Sequence, residues 1–354
     1  MRRPGYRFYA YVFGVNLDEV AEDDLTIYRN LGEFFFRELK SGARPIDPHA
    51  TLVSPADGKI LHSGVVAGRE VEQVKGMTYS LDALLGREPN ASSDSLPVEF
   101  INAAEAEEKN KEFAAANGIQ FALDELLGSN GSNSDYDYDA SSTAGASDST
   151  SDEEMTVLEG DKANFGASPA AQLRVDREIA KPSLPDHDMF FCVIYLAPGD
   201  YHRFHSPAAW VAETRRHFAG ELYSVAPYFQ HRLSGLFVLN ERVALLGRWR
   251  HGFFSMTPVG ATNVGSIKVH FDKDLKTNDP HHKHRNVDKP VCYEATYANA
   301  SKLLGGYPLE KGQQMGGFEL GSTVVLVFEA PKKFRFNVKE GQHVKVGEPL
   351  GDVV

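Results

Sequence analysis

A long acidic segment divides the chain and limits the folds that it can form. Residues 91–180 contain 19 Asp or Glu and 5 Lys or Arg, a net charge of −14, in a chain of 354 residues with a net charge of −12. Residues 129–159 are rich in Ser, Asp, Gly and Asn, and such a composition cannot bury enough apolar surface to offset the entropy of chain ordering. We therefore predict a long disordered acidic insertion over residues 87–186, which leaves room for one or two helical turns at 103–127, with a folded domain assembled from its flanks.

The charge outside the insertion changes which partners the composition excludes. The remaining residues carry about +2, so the total charge is no argument against an anionic lipid, whereas the acidic chain is a poor candidate for binding nucleic acid.

Cys192 and Cys292 lie in apolar contexts and neither belongs to a CxxC pair, so we expect neither a disulfide framework nor a cysteine zinc site. No run of 18 apolar residues occurs, and we expect no membrane-spanning helix.

The flanks of the insertion predict a mainly β fold, like a barrel or a sandwich and of the α+β class, with helices at the N-terminus. Residues 16–40 have a helical pattern, and Asn30 and Glu33 have the spacing of a capping box. Turn signals then recur about every 8–12 residues, as in barrels and sandwiches. The strand signals fall at 59–66, 190–196, 236–246, 252–258, 264–271 and 322–329, and the tail at 338–350 predicts a hairpin.

Two aromatic runs allow two interpretations each. The triplet Phe34–Phe36 and the pair Phe253–Phe254 are suited to packing in the core, and equally to contact with a lipid surface. We favour core packing for the triplet and keep lipid contact as the alternative.

The densest polar cluster follows the buried strand signal at 190–196. It contains His202 and His205, three residues apart. Imidazole titrates near neutral pH, so two histidines facing one cavity can serve as acid and base. The alternative is that both are structural and bind backbone carbonyls.

A serine and an aspartate complete a second candidate group. Ser322 lies between the glycine-rich stretch 316–321 and a strongly apolar strand signal, and the order differs from a G-x-S-x-G elbow because the strand follows the serine. Asp57 lies in a Pro-Ala-Asp-Gly turn, where an aspartate commonly binds its own backbone. Asp57, His205 and Ser322 match the orienter, base and nucleophile of a serine triad, but their separation along the chain does not show that they meet.

Other candidates are weaker. The histidine tract at 281–284 lies in a polar loop and favours a solvated loop over a metal site, so we predict no metal. Arg248, Arg250 and Lys268 have the charge to bind phosphate, but scattered cations are more typical of a surface.

Several segments together resemble the phosphatidylserine decarboxylase proenzymes of the mitochondrial, eukaryotic type. The resemblance covers residues 5–86 and 187–354 and excludes the insertion. Its motifs are NLGEFFFRELKSGARPID at 30–47, SPADGK at 54–59, KGMTYSLDALL at 75–85, VIYLAPGDYHRFHSP at 193–207, NERV at 240–243, HGFFSMTPVGATNVGSI at 251–267 and LGST at 320–323.

The resemblance implies a self-processing, pyruvoyl-dependent carboxy-lyase. The proenzyme, a zymogen, would cut itself between Gly321 and Ser322, giving a β chain of residues 1–321 and an α chain of residues 322–354 that begins with a pyruvoyl group made from Ser322. Asp57, His205 and Ser322 match the family's charge relay, and His202 matches a further histidine associated with decarboxylation. Phosphatidylserine would form a Schiff base with the pyruvoyl group, lose CO₂ and leave as phosphatidylethanolamine, with no metal or nucleotide.

The resemblance also implies the domain plan and the location. Residues 1–50 would form a helical segment with a candidate membrane contact, 51–86 and 187–354 the catalytic β domain, and 87–186 the insertion. The partners would be phosphatidylserine in a membrane and the chain's own α and β products, and a homo-oligomer is left open. We expect the mitochondrial inner membrane, with the enzyme either peripheral or anchored by a segment missing from this chain; another endomembrane is the alternative.

Two other functions remain open from the residues alone. A serine hydrolase would use Asp57, His205 and Ser322 without cleaving its own chain. A non-catalytic β-barrel module is the other, because the pattern at 338–350 resembles lipoyl-type hybrid barrels, although it lacks the Asp-Lys tip that lipoyl attachment requires.

Overall fold

The described residues belong to one compact unit, which residues 1–122 and 178–354 form. The stretch 129–159, predicted to be disordered, lies outside the described residues, as do Gly321 and the histidine tract at 281–284. The computed structural model describes residues 2–68, 70–74, 77–86, 96–100, 107–122, 182–226, 228, 232–233, 235–261, 266–279, 291–319 and 322–354.

Short helices begin the chain, but they differ from the predicted helix over 16–40. Helix α1 (Arg2–Phe13) lies before that range, and α2 (Leu31–Phe35) is the one α-helix described within it. The side chains of Asn16 and Asp24 accept backbone N–H groups two residues further on, and these local bonds form 3₁₀ turns in place of a continuous helix. None of the described helices is long and apolar enough to cross a bilayer.

The cap predicted for α2 is present. Asn30 accepts the backbone N–H of Glu33 at 2.9 Å, and the Glu33 carboxylate reaches back to the N–H of Arg29 at 2.7 Å, one residue before the position that a capping box uses. Phe34 and Phe35 are buried, and Phe34 stacks on Tyr6 of α1 with 5.0 Å between ring centroids. The core interpretation of these two phenylalanines is confirmed.

A ten-stranded, largely antiparallel sheet forms the centre of the fold, and the mainly β prediction is confirmed. The sheet does not close into a barrel among the described residues. Its order is β17 (His343–Val344), β2 (Gly58–Val65), β6 (His187–Leu196), β15 (Ser322–Pro331), β10 (Gly252–Gly260), β9 (Arg242–Trp249), β8 (Trp210–Phe218), β12 (Cys292–Thr296) and β5 (Leu96–Pro97), with β13 (Tyr307–Leu309) also paired with β8.

Strand β15 is buried between β6 and β10 because its sequence is apolar on both faces. Val325 and Val327 lie in one apolar cluster and Leu326 and Phe328 in another, as the alternation of side chains along a strand requires. Its register runs unbroken along β6 from Ser322 to Pro331. A strand that is buried along nearly its whole length therefore begins at Ser322.

Smaller sheets surround the large one. Two predictions from the sequence are wrong here: the segment predicted as a strand at 236–246 begins as helix α5 (Leu236–Leu239), and the tail forms no hairpin because β17 and β18 pair with different strands. The small sheets are β1 (Leu52–Val53), β18 (Pro349–Val353) and β16 (Phe334–Phe336); β11 (Ile267–Val269), β14 (Gln314–Phe318) and β7 (Arg203–His205); and β3 (Glu70–Val74) with β4 (Met77–Ser80), which precede helix α3 (Leu81–Leu85).

Part of the segment predicted as an insertion packs on the compact unit. Helix α4 (Glu107–Asn117) buries Phe113 against Val211 and Leu304, and Asn110 donates to Ser301 Oγ at 2.9 Å. Residues 107–122 are therefore an ordered addition to the sheet, while the boundaries of the insertion at 87 and 186 stay a prediction.

Candidate active site

Three of the large sheet's strands meet near Ser322 at one edge. Ser322 pairs with Leu196, the last residue of β6, and with Gly260, the last residue of β10. Asp57 directly precedes β2, which is the next strand beyond β6. With strands about 4.8 Å apart, Asp57 lies two strands from Ser322, or roughly 10 Å. The fold therefore brings two predicted site residues, far apart in sequence, to the same edge.

Ser322 has an unusual environment. Its side chain is fully buried, and neither its Oγ nor Oγ1 of the neighbouring Thr323 has a hydrogen-bond partner among the described residues. Burying a hydroxyl without a partner is unfavourable. The Ser322 oxygen, buried at the first residue of the central strand, is therefore available for chemistry.

His202 is a neutral imidazole held in one tautomer. Its Nδ1 lies 2.8 Å from the carbonyl oxygen of Asp200, and because a carbonyl only accepts, Nδ1 carries the hydrogen and Nε2 the lone pair. Nε2 is buried and has no partner within the described part of the chain. Burial and, to a smaller extent, the Arg37 charge lower the pKa of His202 to about 3. At neutral pH, His202 is therefore unprotonated, with its lone pair on Nε2.

His205 is oriented in the same way by a different carbonyl. Its Nδ1 lies 2.9 Å from the carbonyl oxygen of Gly312, so Nε2 is again the acceptor and faces the Tyr201 hydroxyl at 3.3 Å. Burial lowers the pKa of His205, and the charge of Asp57 opposes that effect. The imidazole is suited to act as a base.

Asp57 is bound to Arg44, whereas the sequence predicts that it orients His205. Arg44 Nε and Nη2 donate to the carboxylate at distances of 2.5 to 3.0 Å, and the backbone N–H of Val346 donates at 2.9 Å. No hydrogen bond between Asp57 and His205 occurs among the contacts described. The rigid fork of an arginine matches a carboxylate better than a single imidazole N–H does, so Asp57 reaches His205 through its charge.

Sequence reasoning missed the two arginines near the site. Arg37 and Arg44 are both largely buried, and both lie in the motif at 30–47. A cation directly after three phenylalanines was the available signal for Arg37, because an arginine inside an apolar run needs specific partners.

Two of the weaker cationic candidates, Lys268 and Arg248, have other partners. Lys268 pairs with Glu319, and Arg248 pairs with Glu213 and donates to the carbonyls of Gln120 and Leu304. These contacts leave no support for phosphate binding by Lys268 or Arg248. The described residues include no group of three or more His, Cys, Asp or Glu arranged to hold a metal ion.

Comparisons with known proteins point to one family. A family model, Phosphatidylserine decarboxylase, matches residues 31–107 and 93–352. A mitochondrial phosphatidylserine decarboxylase proenzyme 1 of Candida albicans is 49% identical over 100% of this chain and 65% of its own length. The corresponding Saccharomyces cerevisiae protein is 48% identical over 98% of this chain and 67% of its own length, and a mitochondrial proenzyme of Rattus norvegicus is 40% identical over 100% and 68%.

The fold and the site define an enzyme-like, mainly β domain whose buried serine begins its central strand. The chain belongs to the phosphatidylserine decarboxylase family. It spans about two-thirds of the length of these curated relatives.

Proposed function

We propose that this chain is the proenzyme of a pyruvoyl-dependent phosphatidylserine decarboxylase that cleaves itself between Gly321 and Ser322. The observation that carries the proposal is the buried hydroxyl of Ser322, which has no partner among the described residues. Ser322 begins the central strand and shares its edge of the sheet with Asp57. Membership of the family supplies the reaction. The products of cleavage are a β chain of residues 1–321 and an α chain of residues 322–354.

Self-cleavage begins with a proton transfer from the serine. His205 Nε2 takes the proton of Ser322 Oγ, and the oxygen attacks the carbonyl carbon of Gly321. The bond between Gly321 and the nitrogen of Ser322 breaks, the nitrogen takes up the proton, and an ester links Gly321 to Ser322 Oγ. The Gly312 carbonyl holds the hydrogen of His205 on Nδ1 and leaves the lone pair on Nε2; this tautomer supports the assignment of the base.

A second proton transfer releases the two chains. Loss of the Ser322 Cα proton expels the Gly321 carboxylate from Cβ and leaves a dehydroalanine at the start of the α chain. Tautomerisation and addition of water then release ammonia and leave a ketone at that position. Asp57 favours the protonated state of His205 at both stages through its charge, and Arg44 holds that carboxylate in place.

The residues near Ser322 fit a pyruvoyl group, because they provide a buried position at a strand terminus and an unpartnered acceptor, His202 Nε2. The pyruvoyl carbonyl supplies an electron sink for the pair of electrons released when CO₂ leaves. His202 Nε2 takes a proton from the ammonium of phosphatidylserine, which makes the amine nucleophilic. The same nitrogen returns the proton to the substrate Cα after CO₂ leaves.

Intact-mass measurement of the purified chain tests the proposal. We expect two species, residues 1–321 and a C-terminal species of 33 residues whose mass is lower by one ammonia than that of a peptide with N-terminal serine. Borohydride reduction with phosphatidylserine present should attach the lipid amine to the small chain. A folded chain that stays whole contradicts the proposal; a whole chain with esterase activity would indicate the serine hydrolase, and one without activity the non-catalytic module.

We also propose that α1 brings the enzyme to its lipid substrate at the mitochondrial inner membrane; the names of the relatives support the mitochondrion and do not specify a membrane. Phe8 is 71% exposed and Tyr11 is 88% exposed. The helix contains three arginines and no acidic residue, as expected of a helix that lies on an anionic membrane. The phenylalanines named as lipid contacts from the sequence are poorer candidates, because Phe34, Phe35 and Phe254 are buried.

Vesicle sedimentation tests the role of α1. Replacing Phe8 and Tyr11 together with serine should weaken binding to phosphatidylserine vesicles by at least about tenfold, because two exposed aromatic side chains no longer enter the interface. Val65→Ser removes an apolar side chain that is 51% exposed on β2 and serves as the matched control. Equal binding of both variants would show that α1 is not the contact surface.

A further inference from the structure

Arg37 is a buried cation whose hydrogen bonds go to one loop. The residue is 4% exposed, and its Nη2 donates to the carbonyl oxygens of Gly199 at 3.1 Å and Asp200 at 2.9 Å. No carboxylate lies within ion-pair distance of it in the described part of the chain. A buried cation without a paired anion is unfavourable for folding, so its position calls for a role in the loop that it binds.

Arg37 and His202 donate hydrogen bonds to the same carbonyl oxygen of this loop. The carbonyl oxygen of Asp200 accepts from Arg37 Nη2 at 2.9 Å and from His202 Nδ1 at 2.8 Å, so both of its lone pairs are used. Fixing this carbonyl fixes the hydrogen of His202 on Nδ1 and leaves the lone pair on Nε2. The ring of Phe35, two residues before Arg37, contacts the His202 ring edge-on at 4.8 Å between centroids and limits its rotation.

We infer that Arg37 is a positioning residue for decarboxylation: it holds the Asp200 carbonyl so that His202 presents an unprotonated Nε2 to the incoming substrate ammonium. The inference rests on the proposed function and adds a residue to it. Arg37 acts through Asp200 and His202 and needs no contact with the reacting atoms. Self-cleavage, which relies on His205 and Ser322, does not require it.

The charge of Arg37 supports the same state of the imidazole. A positive charge beside an imidazole disfavours its protonation, and burial and Arg37 are what lower the pKa of His202. The other titratable groups around the loop are engaged elsewhere, so removing the Arg37 charge should raise the pKa of His202. Tyr9 donates to the Pro198 carbonyl, the Asp200 carboxylate accepts from Ala197 N, Tyr201 faces His205, Arg203 pairs with Glu38 and Asp57 pairs with Arg44.

The test compares Arg37→Gln, Arg37→Lys and Tyr9→Phe in the processed two-chain enzyme. The first readout is the pH titration of the His202 Cε1–H signal, followed by NMR on protein with labelled histidine. That signal is assigned as the one missing in His202→Gln. The second readout is the pH profile of kcat/KM. We expect Arg37→Gln to raise the pKa of His202 by about one unit or more. The acid limb of the kcat/KM profile should move to higher pH by the same amount. Arg37→Lys keeps the charge and should leave that pKa low while kcat falls, because an ammonium cannot hold both carbonyls in the same geometry.

Tyr9→Phe is the matched control, since it removes a hydrogen bond to the same loop without changing any charge, and it should leave the His202 pKa unchanged. An Arg37→Gln titration identical to wild type overturns the inference, and so does a Tyr9→Phe shift of equal size. If neither Arg37 variant folds, the wild-type titration decides, because a His202 that titrates near its ordinary pKa of about 6.5 contradicts the inference. Intact mass is measured on every sample, so failure of self-cleavage in wild type is seen separately as failure of the proposed function.

Discussion

Ser322→Ala is expected to yield a single uncut chain of 354 residues with no decarboxylase activity. The substitution removes the oxygen that attacks the Gly321 carbonyl, and it also removes the atoms from which the pyruvoyl group is made. Because both functions depend on one side chain, they should be lost together and completely. Intact mass and release of labelled CO₂ from phosphatidylserine measure the two outcomes on the same preparation.

Thr323→Val is the matched control for Ser322→Ala. Thr323 is the next residue of β15, and its Oγ1 is buried without a described partner, like the Ser322 oxygen. Valine keeps the shape of threonine and removes the hydroxyl, so any effect of losing a buried, unpartnered hydroxyl on stability appears in this variant too. Normal cleavage of Ser322→Ala would disprove the assigned nucleophile, and failure of Thr323→Val to cleave would show that the measurement reports on strand stability.

His202→Gln is expected to separate the two reactions. Glutamine cannot take a proton from the substrate ammonium and return it to Cα, so decarboxylation should fall by about 10²–10⁴-fold, the usual contribution of a general acid–base group. Cleavage should persist, because His205 is the base for that step. Intact mass should show the two chains, and the rate of CO₂ release per processed molecule gives the loss.

His205→Gln provides the contrast to His202→Gln. It removes the proposed base for Ser322 and should leave the chain largely uncut, although its backbone N–H bond to the Pro55 carbonyl at 2.7 Å can still form. The division of roles between the two histidines is contradicted if His202→Gln also prevents cleavage, or if His205→Gln is processed at the wild-type rate.

Much of the site could be predicted because its signals are local. A continuous apolar run predicted β15 as a buried strand, and the same run marked Ser322 as its first residue. The polar cluster after the apolar run at 190–196 marked His202 and His205 as side chains presented beside a rigid strand. Asp57 was marked by its turn. Each of these signals lies within about ten residues of the residue that it identifies.

The contacts that orient these residues could not be predicted in the same way. Arg44 binds Asp57 from 13 residues away, and the N–H of Val346, 289 residues away, completes that site. Gly312 orients His205 from a distance of 107 residues. The sequence therefore suggested that Asp57 orients His205, whereas the structure gives that contact to a carbonyl.

The helical segment at the N-terminus shows the same limit. The pattern over 16–40 favoured one helix, but Asn16 and Asp24 form local side-chain bonds that end it, and α1 lies outside that range. The aromatic triplet was compatible with core and with lipid. Packing of Phe34 on Tyr6 decided for the core, and the exposed apolar residues lie on α1 instead.

The sequence by itself determined the residue types available for chemistry, the strand that presents Ser322, and the separation of an acidic segment from a nearly neutral body. The tertiary structure decided which groups meet: Arg44 with Asp57, Gly312 with His205, and Arg37 and His202 on one carbonyl of Asp200. The physical reason is that strand burial follows from neighbouring residues, whereas the tautomer and charge of a buried side chain depend on donors and acceptors that only folding brings together.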